Sequence, residues 1–285
     1  MAATDDAAFD EIDFEDDDDQ DQPPATQRRP VSDIPAVIVD DVHVRYRVFG
    51  GRKRSVAPEM GRVRAMVNRS RKHVGAVTEV HAVQGVSFVA HHGESIGIIG
   101  RNGAGKSTLL RAVAGLMPTS SGAVYVSGTS SLLGVNAALM SSLTGERNVM
   151  IGGLALGLTP AQVRERFDDV VEFAGIGDFI DLPMKAYSSG MAARLRFAIS
   201  TAAVPDVLMI DEALATGDAE FRDRSKKKID EIKDHAGTVF LVSHSMNSIE
   251  RMCERAIWID KGKLIADGPA SEIAAEYRKA SKKKG

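Results

Sequence analysis

The clearest chemistry in the chain lies in eight consecutive residues. Gly100-Arg101-Asn102-Gly103-Ala104-Gly105-Lys106-Ser107 fits the pattern G-x-x-x-x-G-K-[ST]. The apolar run Ser95-Ile-Gly-Ile-Ile99 precedes it, and a stretch predicted helical from about Lys106 to Leu116 follows. Strand, glycine turn and helix together form a phosphate cradle. Glycines let successive main-chain N–H groups turn inward around phosphate oxygens. The helix N-terminus adds the positive end of its dipole. Lys106 would reach the β- and γ-phosphates, and Ser107 would offer its hydroxyl to Mg²⁺, with Thr108 beside it. This loop alone leaves kinases, GTPases and motors open.

Three further groups narrow the choice. Val207-Leu-Met-Ile210 reads as a buried strand that ends in Asp211-Glu212. The strand would deliver Asp211 to the Mg²⁺ shell, and Glu212 could then polarise an attacking water as general base. Adjacent carboxylates at a strand end are costly unless a cation or a proton transfer uses them. Another apolar strand, Val239–Val242, leads into Ser243 and His244. The C-terminal ends of parallel strands face the ligand crevice, so His244 is a candidate hydrogen-bond donor to the γ-phosphate. Finally, Tyr187-Ser188-Ser189-Gly190-Met191 precedes a long predicted helix. Small hydroxyl residues and a glycine at a helix start form an anion site. Taken alone, Ser-Ser-Gly is an ordinary N-cap; beside a triphosphate cradle already present, it would instead serve a neighbour's nucleotide.

The elements that must hold these groups alternate along the chain. Order begins near Ala36, with β-branched strand patterns at 37–46 and 80–90. Residues 120–135 read as short strands with turns at Ser121-Gly122 and Ser127-Gly128. From about 139 to 187 the pattern is helical, with Val163, Phe167, Val170, Val171 and Ala174 at helical spacing. Met191, Leu195, Ala198, Ile199 and Ala202 stripe the next helix, and short apolar strands recur at 207–210, 239–242 and 257–259. Strands alternating with helices predict an α/β domain with a mostly parallel sheet.

Composition sets the boundaries. The 285 residues are enough for one large α/β domain. Residues 1–22 hold eleven acids and no base, and removing those from 39 leaves 28 against 36 Lys and Arg. An acidic tail, 1–35, is expected to be disordered, and the chain after residue 22 carries a net charge of +8. Ten basic residues and one acid, Glu59, fall within 45–72, which predicts a basic insertion at about 50–75 between two early strands. The ordered body is expected over 36–280, with a helical subdomain at about 139–190 and a basic tail over 281–285. A single cysteine, Cys253, excludes a disulfide framework and predicts a reducing compartment. No run of 18 apolar residues and no basic-then-apolar leader pattern occur.

Taken together, these motifs and their order resemble the ATP-binding-cassette ATPases, over about 37–280. The resemblance implies a P-loop NTPase fold with an antiparallel β subdomain and a helical subdomain, and ATP and Mg²⁺ as ligands. In that family two cassettes meet head to tail, each ATP lying between one P-loop and the other chain's signature. Ser188, Ser189 and Gly190 would then contact the partner's γ-phosphate. Asp218, in Ala215-Thr-Gly-Asp218, would cross the interface. Tyr46 is similar to the aromatic that stacks on adenine, with Phe49 the alternative. The usual glutamine-loop residue is missing, since no glutamine occurs between Gln84 and Gln162. Asn136 is the polar candidate for that position and for a Mg²⁺ contact, with Val135 the competing alignment.

Leu182-Pro-Met-Lys-Ala-Tyr-Ser-Ser-Gly-Met191, Leu143-Thr-Gly-Glu-Arg-Asn148 and Asp211-Glu-Ala-Leu-Ala-Thr-Gly-Asp218 resemble the ATPase subunits of polysaccharide exporters, the Wzt and TagH type. That branch implies a homodimeric ATPase on the cytoplasmic face of the cell membrane, bound to a polytopic permease. The cargo would be a lipid-linked glycan of O-antigen, teichoic acid or galactan type, with no nucleic acid partner. The insertion would contact anionic lipid head groups or the carrier's pyrophosphate, or form a solvated loop. Two rivals share the same motifs: a cassette that powers import of a small molecule, and a soluble cassette protein acting on ribosomes or nucleic acid.

Overall fold

The computed structural model describes residues 31–48, 78–133, 139–211, 219–243 and 245–282. Most of the acidic tail, the basic insertion, Phe49, Val135, Asn136, Glu212, Asp218 and His244 lie outside the described residues.

Within them, β1 (Pro35–Val48), β2 (Thr78–His91) and β3 (Ser95–Ile99) lead into α1 (Lys106–Val113), β4 (Ser121–Val126) and β5 (Ser130–Leu132). A helical layer follows: α2 (Gly145–Ala155), α3 (Pro160–Glu165), α4 (Phe167–Ala174) and α5 (Ser189–Ser200). The chain then alternates β6 (Val207–Asp211), α6 (Ala219–His235), β7 (Thr238–Val242), α7 (Met246–Met252), β8 (Arg255–Asp260), β9 (Lys263–Pro269) and α8 (Ala270–Lys282). The α/β expectation holds. Helix α1 stops at Val113 rather than near Leu116, because Gly115 turns left-handed at φ +70°. Helix α8 runs to Lys282, into the expected basic tail.

Two sheets result. β1 lies between β2 and β4 in a three-stranded antiparallel sheet. The larger sheet has the order β5-β6-β7-β3-β8-β9, parallel except for the β8–β9 pair. Its central strands are near-continuous apolar runs, as strands covered on both faces tend to be; every residue of β7 is buried. One core fills the space between the two sheets and α1, joining Val37, Val39 and Phe88 to Ile96, Leu109 and Phe240. A second lies on the opposite face under α6, α7 and α8, and a third, around Val149, Val170, Leu195 and Ile199, joins the helices of the helical layer.

Arg255 joins the two sheets at the base. Its Nε and Nη2 grip both oxygens of Asp267, each at 2.7 Å, while Nη1 donates to Val89 O at 2.8 Å and to Glu94 at 3.2 Å. Glu94 in turn accepts the His91 N–H at 2.7 Å. The α7–α8 corner carries a second such fork, from Arg278 to Glu250 at 2.8 and 2.9 Å.

Candidate functional site

The sheet order decides where chemistry can occur. After β3 the chain crosses to the far edge at β5, returns through β6 and β7, and then passes to the other side at β8. Such a reversal opens a crevice at the C-terminal strand ends. In register, Ile98 pairs with Val242, and Val242 with Asp211. The glycine loop after β3, Ser243 after β7, and Asp211 therefore share one edge. Glu212 and His244, one residue beyond Asp211 and Ser243, fall outside the described residues.

The loop itself is shaped from outside. A Cβ on Gly100, at φ +152°, would collide with the Ile259 carbonyl oxygen. One on Gly105, at φ +105°, would collide with the Ala82 carbonyl oxygen. Glycine is required at both places for space as well as for conformation. The β8–β9 turn clamps the loop: Gly262 N donates to Ala104 O and Gln84 N donates to Gly262 O, each at 2.7 Å. Gly105 gives α1 no side-chain cap, which leaves the first-turn N–H groups of Lys106, Ser107 and Thr108 to whatever the loop cradles. Lys106 is buried at 6 % exposure, with Nζ donating to Gly100 O at 2.8 Å and Arg101 O at 3.3 Å. Its ammonium thus sits inside the loop, where phosphate oxygens can replace main-chain carbonyls. Arg101, Asn102 and Gly103 are exposed on the outer turn, Ala104 is buried and Ser107 half-buried.

Tyr46 reaches this site from β1. Its hydroxyl donates to Met117 Sδ at 3.1 Å and lies 3.0 Å from Thr108 Oγ1, so Thr108 is the donor to it. The ring is half-buried beside the first turn of α1. Ser243 is buried, and its Oγ accepts from Ser245 N at 3.0 Å; Ser245 then caps α7, accepting from Ser248 N at 3.2 Å. Ser243 and Ser245 are thus bonded to each other and to the start of α7.

Ser188, Ser189 and Gly190 stand elsewhere, at the exposed start of α5. Ser188 is the N-cap, accepting from Met191 N at 3.1 Å. A Cβ on Gly190 would meet only Ser188 Oγ, at 3.9 Å, so this face is open to an incoming group.

The residues present fit a nucleoside triphosphate with a hard divalent cation. The loop's shape and the buried ammonium suit phosphates. The hydroxyl of Ser107 and the carboxylate of Asp211 are the hard oxygen donors that Mg²⁺ takes, a few at a time beside phosphate oxygens and water.

Comparison with known proteins agrees with this geometry. The family pattern described as ABC transporter matches residues 83–215, from β2 to just past β6. An O-antigen export system ATP-binding protein, RfbB, from Myxococcus xanthus is 39 % identical over 249 residues, covering 86 % of this chain and 56 % of that protein. A teichoic acids export ATP-binding protein, TagH, from Lactococcus lactis is 41 % identical over 198 residues, covering 70 % of this chain and 42 % of that protein. The chain thus carries the ABC transporter pattern over residues 83–215, a little under half of its length. It spans about half the length of these two relatives. A solved ATP-binding subunit of an ABC transporter shares the fold, at TM-score 0.61, 21 % identity and coverage of 85 % of this chain and 93 % of that one.

Sequence reasoning gave no role to one side chain of this ABC domain that the structure makes conspicuous. Asn148, in the first turn of α2, has no exposed surface and makes four hydrogen bonds to residues 140–144. A polar amide within an otherwise apolar buried stripe was the available signal. Among the described residues, no helix is long and apolar enough to cross a membrane.

Proposed function

We propose that this chain hydrolyses ATP as the ATP-binding subunit of an ABC exporter, and that its cargo is a lipid-linked polysaccharide of O-antigen, teichoic acid or galactan type. The observation that carries the reading is the shared strand edge: a buried Lys106 inside the glycine loop, with Asp211 in register two strands away. The export class rests on the two relatives, whose names specify O-antigen and teichoic acids export.

In this reading Gly100 to Thr108 wrap the phosphates, and Lys106 neutralises charge on the transferred group. Tyr46 flanks the adenine. Ser107 and Asp211 would hold Mg²⁺, with Asn136 completing its shell in place of a glutamine; the cation screens the phosphate charge when bound. Glu212 takes the proton of the attacking water, and His244 donates a hydrogen bond to the γ-phosphate. Two copies meet head to tail, so that Ser188, Ser189 and Gly190 of one chain close over the other's nucleotide, with Asp218 crossing the interface. ATP binding closes the pair, hydrolysis reopens it, and a polytopic permease turns this cycle into movement of the glycan across the cell membrane. The chain works as a peripheral subunit on the cytoplasmic face.

The test is Glu212→Gln. Loss of a general base lowers turnover by about 10²–10⁴-fold. ATP binding should persist, and the variant should accumulate as a closed dimer in size-exclusion chromatography. Wild-type turnover in this variant would remove Glu212 from the mechanism.

A further inference from the structure

The start of α5 is held by a device built from two distant segments. Residues 140–145 and 182–187 run side by side. Met184 N donates to Leu143 O at 2.9 Å, Lys185 N to Ser141 O at 2.8 Å, and Gly145 N to Leu182 O at 3.2 Å, with Thr144 and Pro183 bridged between them. Asn148 stiffens the first segment from within. Its Oδ1 accepts Met140 N at 2.8 Å, and its Nδ2 donates to the carbonyls of Met140 (2.9 Å), Leu143 (3.2 Å) and Thr144 (2.9 Å). The Leu143 carbonyl thus accepts from Asn148 and from Met184 together.

Tyr187 closes the second segment. Its hydroxyl donates to Phe179 O at 2.7 Å, on the 3-10 turn Gly177–Asp181. The same hydroxyl fills the space above Gly145, where a Cβ would collide with it. Burial, the largest influence on it, pushes the pKa of this phenol up, with the Gly145 N–H opposing and Asp181 adding to the rise. The next residue is Ser188, the N-cap of α5. A buried amide with four bonds and a half-buried phenol with one thus brace the two segments that lead into Ser188, Ser189 and Gly190.

We propose that Asn148 and Tyr187 are positioning residues for the signature. They hold the start of α5 in the orientation that receives the γ-phosphate of ATP bound to a second copy of the chain. The proposal rests on the head-to-tail dimer described above. Neither residue acts on the nucleotide of its own chain, so damage at either one falls on the partner's site.

That separation makes the test. Full-length Tyr187→Phe keeps the ring and removes one hydroxyl; Asn148→Ala removes all four bonds and is the harsher change. Each should keep its affinity for a fluorescent ATP analogue within about twofold while hydrolysis falls about tenfold, the cost of a misaimed group. Each is then mixed with Lys106→Ala, which has a sound signature but a crippled loop. A mixed dimer contains one site with both halves intact. Random pairing and independent sites would restore about a quarter of the wild-type rate. Mixing Tyr187→Phe with Asn148→Ala should restore nothing, because both signatures are damaged.

Full hydrolysis by Tyr187→Phe and Asn148→Ala alone would overturn the proposal. Loss of ATP binding by Tyr187→Phe, or no recovery when it is mixed with Lys106→Ala, would do the same. In all three cases a wild-type chain that still dimerises with ATP leaves the parent reading standing. A wild-type chain that neither dimerises nor hydrolyses ATP would refute that reading and this proposal with it.

Discussion

Gly97 is the position where a single methyl group should disturb catalysis from a distance. It lies in the middle of β3, three residues before the phosphate loop. A Cβ there would sit 2.7 Å from Ile249 Cγ2 and 2.9 Å from its Cδ1, on α7. Ordinary contact begins at 3.4 Å, so α7 or the Ile249 side chain must give by about 0.7 Å. Ile249 is fully buried, which leaves little room for a rotamer change. Gly97→Ala should therefore cost about 1–3 kcal/mol by overpacking. The functional cost follows from where the two elements lead: β3 ends at Ile99, just before Gly100, and α7 begins two residues after His244. In the proposed mechanism, where His244 acts on the γ-phosphate, a shift between these elements should misalign that contact, and a misplacement of about 1 Å can cost about 10²-fold in rate. Ile249→Ala clears both clashing carbons but on its own costs about 2–5 kcal/mol. In the double variant the new methyl partly fills that gap, so the two changes should couple by about 1–2 kcal/mol. The assay is a double-mutant cycle read in thermal unfolding and in steady-state hydrolysis, with ATP affinity as the control. Additive stabilities, or a Gly97→Ala enzyme with wild-type rate, would refute the reasoning.

Two further outcomes follow from the charged clusters. Arg255→Met strips the guanidinium from Glu94 and Asp267, whose side chains are only 16 % and 24 % exposed. Leaving such groups uncompensated should cost about 2–4 kcal/mol, or about 5–12 °C in Tm; a fall under about 2 °C would mean the cluster is dispensable. On the small sheet, Asp41 Oδ1 accepts from His43 Nε2 at 3.3 Å, which leaves His43 Nδ1 to accept from His81 Nε2 at 3.0 Å. Burial first, then Arg45 and His43, hold the His81 imidazole below its ordinary 6.5, with Lys263 adding to them and Glu79 opposing. The unfolded chain then binds the proton more readily than the folded one, so stability is full above 6.5 and falls as pH drops below it. Urea midpoints taken between about pH 7 and pH 5 should fall in the wild type and flatten in His81→Gln. Parallel curves would exclude His81 as the titrating group.

What could be read from the chain, and what could not, divides along a physical line. The phosphate loop and the Asp211 strand were legible because their chemistry uses neighbours in sequence: a buried strand, then the groups it must present. The central strands were legible for a related reason, since a strand covered on both faces reads as a near-continuous apolar run. Helix α6 was harder to see. Its apolar anchors Phe221, Ile229 and Ile232 are too sparse among charges to make a helical stripe, and it packs mainly through those few contacts. β9 alternates exposed and half-buried residues and pairs only along β8, so its antiparallel placement depends on a partner rather than on its own pattern.

Gly97 and Asn148 are the sharper cases. By local rules each is a fault, a glycine inside a strand and an amide inside a buried helix face. Each becomes intelligible only through a neighbour that local reading does not supply. Gly97 makes room for Ile249, far along the chain, and Asn148 satisfies the turn that comes just before its own helix. A residue that breaks a local rule and is fully used by the fold marks a place where two functional segments are held in register. In this chain Gly97 lies between the phosphate loop and α7, and Asn148 braces the turn that runs beside the start of α5. Substitutions at these two positions should therefore separate the two halves of one nucleotide site: Gly97→Ala should impair the site of its own chain, and Asn148→Ala that of its partner. Equal rescue of both variants by Lys106→Ala would show that this division does not exist.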